Sequence, residues 1–209
     1  MKKVAVLLAR GFEEIEALTV VDYLRRAEVD VTTVAVPERG SVESSALVVG
    51  SHAIPVVADM QLNAYLYSLK DGQLPDAVYA PGGMPGAANI AFCESAVNFI
   101  TDCAASNKIV AAICAAPVVV LAKTGLLAGL HYTCYPGMEE GLAQYCGDPG
   151  KMEICMKDSV LERGKPWAFD SNVLTGRGPG AAEEFAMKLV RLLAGEAVAE
   201  RIRISSCQR

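Results

Sequence analysis

Short, continuously apolar runs recur along this chain, and each is cut off by glycine, proline or cysteine. Lys3–Leu8, Ala77–Ala80, Ile109–Ile113 and Val173–Thr175 lack the in–out alternation of a half-exposed strand. They read as strands covered on both faces, which belong to parallel sheets whose crossovers are helices. The first crossover is legible in full. Ala9-Arg10-Gly11-Phe12 turns the chain, and Glu13 and Glu14 stand where a helix dipole favours acids. Leu18, Val21 and Leu24 recur at helical spacing, with Arg25 and Arg26 at the helix end. Val29–Val36 follows as the second strand and completes a βαβ unit. No Gly-x-Gly-x-x-Gly follows the first strand, so no dinucleotide site is expected there.

The same reading extends along the chain. Pro37–Ser45 is a polar loop, and Ala46–Val49 and Ala53-Ile54 form a small hairpin around Gly50-Ser51-His52. Asp59–Asp71 holds a short helix about Tyr65-Leu66-Tyr67. Glu94 or Ser95 opens another, running through Val97, Phe99, Ile100 and Ala104 to Asn107. Pro117 suits a first helical turn, and Val118–Ala122 continue it. Beyond lie short strands at Tyr132–Tyr135, Met152–Met156 and Ser159–Arg163, a helix over Gly137–Tyr145, and a loop, Gly164–Phe169, carrying two aromatics. A long helix follows with Phe185, Leu189 and Leu192 on its core face and Gly195 as its cap. Residues 196–209 add a C-terminal helix and tail. With no repeat and no linker, the expectation is one domain over residues 1–209. Its fold is a doubly wound, mostly parallel α/β sheet sandwiched by helices.

Composition narrows the partners. The 209 residues are 52% apolar and 21% charged, with a net charge of −5. Lysine and arginine are scattered rather than clustered, so nucleic acid is not an expected partner. Met1-Lys2-Lys3 leads straight into a strand and then into acids, unlike a signal peptide. The longest apolar run, Ile109–Ala122, is too short to span a bilayer. The expected compartment is the cytoplasm, with no membrane partner. Of the seven cysteines none forms a C-x-x-C, and neither His52 nor His131 lies at ligand spacing from a cysteine pair. Neither a disulfide framework nor a metal site is expected, and no cofactor.

In a doubly wound sheet, sites form at the carboxyl ends of the strands. The first strand leads to Glu13, Glu14 and Glu16, the third to Gly82-Gly83, the central one to Cys114, and the late one to Gly176-Arg177-Gly178-Pro179-Gly180. Taken alone, Cys114 reads most simply as a buried packing thiol. Its position between a strand and Ala115-Ala116-Pro117 also fits a tight elbow, where the following helix's free N–H groups favour a thiolate.

Four segments resemble the ThiJ/PfpI superfamily, in its DJ-one branch: Ala-Ala-Ile-Cys-Ala-Ala-Pro at 111–117, Gly11-Phe12-Glu13-Glu14-Ile15-Glu16, Pro81-Gly82-Gly83 and Arg177-Gly178-Pro179-Gly180. They occur in the family's order and span nearly the whole chain. The resemblance implies a flavodoxin-like sandwich that forms a homodimer. It assigns Cys114 as an oxidisable nucleophile, Glu16 as the acid hydrogen-bonded to it, and Gly83 and Ala115 as backbone donors to the sulfur. Glu13 and Glu14 are then solvated helix-start charges. Side by side, two anions repel, so Glu16 is expected to be protonated beside a thiolate, the two titrating as a unit. The family's nearby histidine is replaced here by Tyr135, and its hairpin arginine by His52, which would reach a partner subunit's pocket. Arg177 completes the candidate pocket.

The function the resemblance implies is glutathione-independent glyoxalase or deglycase chemistry, on small reactive carbonyls or glycated protein, in a stress-response protein. The alternative is a redox sensor or chaperone acting through oxidation of Cys114. A cysteine peptidase is disfavoured, because Ala115 stands where other branches carry a histidine.

Overall fold

The computed structural model describes residues 1–38, 40–41, 45–69, 72–141, 154 and 156–208. The chain runs β1 (Lys3–Leu8), α1 (Glu14–Arg26), β2 (Asp30–Ala35), β3 (Leu47–Val49), β4 (Pro55–Val57), β5 (Met60–Gln61) and α2 (Leu62–Ser68). It continues through β6 (Ala77–Ala80), α3 (Gly86–Phe92), α4 (Glu94–Ala105), β7 (Ile109–Ile113), a π-helical turn (Pro117–Leu121) and α5 (Ala122–Thr124). Then come β8 (His131–Tyr132), β9 (Val160–Leu161), β10 (Trp167–Asp170), β11 (Val173–Gly176), α6 (Ala182–Ala194) and α7 (Glu196–Ser205).

Seven strands form the main sheet in the order β10-β11-β7-β6-β1-β2-β5. Every neighbouring pair is parallel except the edge pair β10–β11. The apolar runs lie at its centre: Val4–Leu8, Ala77–Ala80 and Val110–Ile113 are all buried. Right-handed crossovers place α1 on one face and α2, α4 and the Pro117–Leu121 turn on the other. On its own face α1 packs against α6. The chain leaves β1 toward β2 but leaves β6 toward β7, so the strand order reverses between β1 and β6. A crevice therefore opens at the carboxyl ends of these two strands.

Some expectations shift. Trp167–Phe169 is not loop but the start of β10, paired in register with β11. Ala168 is buried on one face while Trp167 and Phe169 lie against Lys188 of α6, so edge pairing overrides the preceding Gly164 and Pro166. Pro117 opens a helix as expected, in π-helical form over Pro117–Leu121 and continued by α5. The hairpin's second arm starts at Pro55, because Ala53 sits in the turn at φ 63°. Leu193, not Leu192, joins Phe185 and Leu189 in the core. Helix α3 has no counterpart in the sequence reading. His131–Tyr132 and Val160–Leu161 are shorter than expected and pair with each other. Met138–Gly141 is a 3₁₀ turn, while 142–145 of the expected helix and most of the Met152–Met156 strand lie outside the described residues.

Candidate active site

The first turn of α1 inverts the amphipathic rule. Ile15 and Leu18 are 57% and 36% exposed, whereas Glu14 and Glu16 are 4% and 0% exposed. Glu16 lies on the stripe of Val20 and Leu24, four and eight residues on, so the helix aims a carboxyl into the core. Burying an acid there costs free energy unless its atoms find partners or it keeps its proton. Glu16 Oε2 accepts the Gly82 N–H at 2.8 Å, and Oε1 has no partner among the described residues. Burial, reinforced by the charge of Glu13, lifts Glu16 from an ordinary 4.5 to about 8, against the pull of its hydrogen bonds with Cys114 and Gly82. Glu16 is therefore a carboxylic acid at neutral pH.

Cys114 caps β7 in a left-handed conformation, φ 62°, which a non-glycine residue adopts only when its surroundings hold it. Two hydrogen bonds do so: its N–H donates to Gly176 O at 2.9 Å, and its C=O accepts from Tyr135 N–H at 2.9 Å. The residue is 9% exposed. Burial and the neighbouring Glu16 push the thiol up, while the Gly83 and Ala115 N–H groups pull it down. The expected easy thiolate is thus corrected, since desolvation outweighs the turn's N–H groups. Protonation of Glu16 removes its charge, and then only burial opposes the two backbone donors.

The Gly82-Gly83 pair follows from the closeness of these groups. A Cβ on Gly82 would lie 2.5 Å from Cys114 Cβ and 2.6 Å from Glu16 Oε2. Gly83, at φ 87°, presents its N–H to the sulfur with its α-carbon against the Gly11 and Glu13 backbone.

Of the sequence candidates, Cys114, Glu16, Gly83 and Ala115 are brought together. Tyr135 contributes its main chain, and its ring, half exposed, lies beside Gly178. Arg177 donates instead to Gly164 O at 3.3 Å and through its N–H to Pro166 O. His52 pairs with Glu14, Nδ1 to Oε2 at 2.8 Å, and His131 with Glu162.

Glu13 and Glu14 are not solvated. Glu13, 6% exposed, caps α1 by accepting the Glu16 N–H. Glu14 accepts N–H groups from His52 and Ile54 and the Ser51 hydroxyl, so it clasps the tip of the β3–β4 hairpin. These hydrogen bonds overcome its burial and hold it below the usual carboxylate range. The Ser51, His52 and Ile54 donors to Glu14 lie on a hairpin far away in sequence, so no local pattern reveals them. Glu13, Glu14 and His52 bring ligand atoms within 4.8 Å of one another, but Glu14 is spent on hairpin donors, which makes the trio a clasp. No helix among the described residues is long and apolar enough to cross a membrane.

A mostly parallel α/β sheet with a cysteine at a strained strand end, backed by a buried carboxylic acid, defines a flavodoxin-like protein with a thiol–acid site. The family model described as DJ-1/PfpI matches residues 2–192, and the chain belongs to that family. It is 31% identical over 201 residues to the DJ-1 homolog A of Arabidopsis thaliana, covering 96% of this chain but only 45% of that protein. It is likewise 31% identical over 188 residues to the glutathione-independent glyoxalase DJR-1.2 of Caenorhabditis elegans, covering 88% of this chain and 83% of that one. A crystal structure of a mutant DJ-1 superfamily protein from Salmonella typhimurium superposes with a TM-score of 0.83 at 34% identity, covering 100% of both chains.

Proposed function

We propose that this protein is a cytoplasmic, cysteine-dependent enzyme that converts small α-oxoaldehydes such as methylglyoxal to hydroxy acids without glutathione. The observation that carries the reading is a protonated, fully buried Glu16 set against Cys114, with the Gly83 and Ala115 N–H groups on the sulfur. The glyoxalase of Caenorhabditis elegans, whose sequence this chain matches, supports it. Cys114 sulfur, having shed its proton, forms a bond to the aldehyde carbon, and the carbonyl oxygen takes the proton of Glu16 to give a hemithioacetal. The Glu16 carboxylate then removes the proton from that carbon and returns it to the neighbouring one, while the hydroxyl proton passes from the first oxygen to the second, leaving a thioester. Water cleaves the thioester, releasing lactic acid and the thiol, and Glu16 regains from solvent the proton that Cys114 had shed to it. Overall one water is added and no outside oxidant is consumed. The same attack on an aldehyde-derived adduct of a protein would be deglycation. Methylglyoxal consumption tests the proposal: wild type should turn it over and Cys114→Ser should lose at least about a hundredfold. Equal rates would sink it.

A second reading, redox sensing or chaperoning, is favoured by the two backbone donors that would hold the oxygens of an oxidised sulfur. After mild peroxide, peptide mass spectrometry should then find Cys114 oxidised ahead of exposed Cys207. Oxidation of Cys207 first would remove its basis.

A further inference from the structure

A closed loop of three hydrogen bonds holds the acid beside the thiol; one of them uses a Glu16 carboxyl oxygen and none uses the sulfur. Glu13 N–H donates to Gly82 O at 3.0 Å. Gly82 N–H donates to Glu16 Oε2 at 2.8 Å. Glu16 N–H donates to Glu13 Oε2 at 2.7 Å. The loop ties the end of β6 to the first turn of α1 and leaves two glutamates, 6% and 0% exposed, side by side. They cannot both ionise cheaply. Their surroundings decide which one carries the charge. Glu13 receives a charge-stabilising main-chain donor and stands 4.0 Å from His52 Nδ1 at the rim. Glu16 has one oxygen without a hydrogen-bond partner among the described residues and lies deeper.

We propose that Glu13 is the positioning residue of the site: its carboxylate clamps the Glu16 main chain and sets a fixed negative charge beside it, so that Glu16 meets Cys114 as an acid. The charged and titratable groups facing Glu16 fit this division. Cys114 comes from the end of β7, Glu13 from the turn before α1, and the Tyr79 phenol from β6, its hydroxyl donating to Glu16 O at 3.1 Å. Burial keeps that phenol neutral, since it raises Tyr79 well above its ordinary value. The charge of Glu13 is one cause that raises Glu16, after burial. The turnover scheme rests on an acid at position 16, so this inference names what maintains the acid.

The test is a carboxyl-carbon NMR titration of Glu16 in the folded protein, comparing wild type with Glu13→Gln and Glu13→Ala. The glutamine amide oxygen still accepts the Glu16 N–H, so Glu13→Gln removes charge and keeps the clamp. The Glu16 midpoint should fall by about one pH unit in Glu13→Gln. In Glu13→Ala it should fall too, with weakened amide protection at Glu16. The pH above which Cys114 alkylation changes slope should move with the midpoint. A midpoint that stays or rises in folded Glu13→Gln overturns the proposal. The titration needs no turnover, so failure of methylglyoxal consumption would reject the glyoxalase reading while leaving this measurement to decide on Glu13.

Discussion

At the scale of single residues, the protein stores its chemistry in one costly side chain. Glu16 is an acid raised from 4.5 to about 8 by burial. A carboxyl whose folded value lies above its unfolded one gives stability that is fully present below about 4.5 and lost as pH rises toward about 8. Glu16→Gln, which keeps an acceptor for Gly82 and needs no proton, should flatten that fall. Its stability relative to wild type should rise by about 1.4 kcal/mol per pH unit across that window, read by urea denaturation at several pH values. Parallel curves for the two proteins would mean that Glu16 is not the titrating group. Cys114, with its left-handed backbone, is the matching cost on the other side of the crevice.

Among the elements, α1 and the β3–β4 hairpin act as one unit because Glu14 joins them. The hydrogen bond and charge of Glu14 raise His52 above its usual 6.5. A base with a raised folded value stabilises the clasp fully below about 6.5, and this is lost as pH rises through the elevated value. Hydrogen-exchange protection at Gly50 and Ser51, whose N–H groups donate to Ile54 O and Phe12 O, should therefore decline above neutral pH. His52→Ala should abolish that decline. The exposed ring makes the effect small, and salt should weaken it further. Helix α1 was legible through Val21 and Leu24, although Leu18 of the expected stripe is exposed, and strands β1, β2, β6 and β7 were legible as apolar runs. Strand β10 was not, since only its pairing with β11 and packing under Lys188 make it a strand.

For the whole molecule, the exposed apolar residues of α1 point outward beside the clasped hairpin. Ile15 and Leu18 share one helix face, and Ile54, 49% exposed, donates its N–H to Glu14. We propose that this face joins two copies into the homodimer that the family resemblance implies. Sedimentation should give about twice the 22.1 kDa chain mass, and Ile15→Glu should shift it toward monomer. A monomeric wild type at micromolar concentration would reject the dimer.

The sequence by itself determined the doubly wound sheet and the strand ends that carry chemistry, because continuous apolar runs and turn residues act through neighbours in the chain. It also marked Cys114, Glu16 and Gly83 through the motifs of the family resemblance. Only the tertiary structure decided their ionisation. Whether an acid keeps its proton, or a thiol loses one, depends on how much water and how many donors remain around it. Those are supplied by Gly82, Gly176 and the hairpin, which are distant in sequence and adjacent only after folding, and by the burial that brings Glu13 in with Glu16. For the same reason Glu13 and Glu14, ordinary helix-start acids by pattern, became the clamp and the clasp.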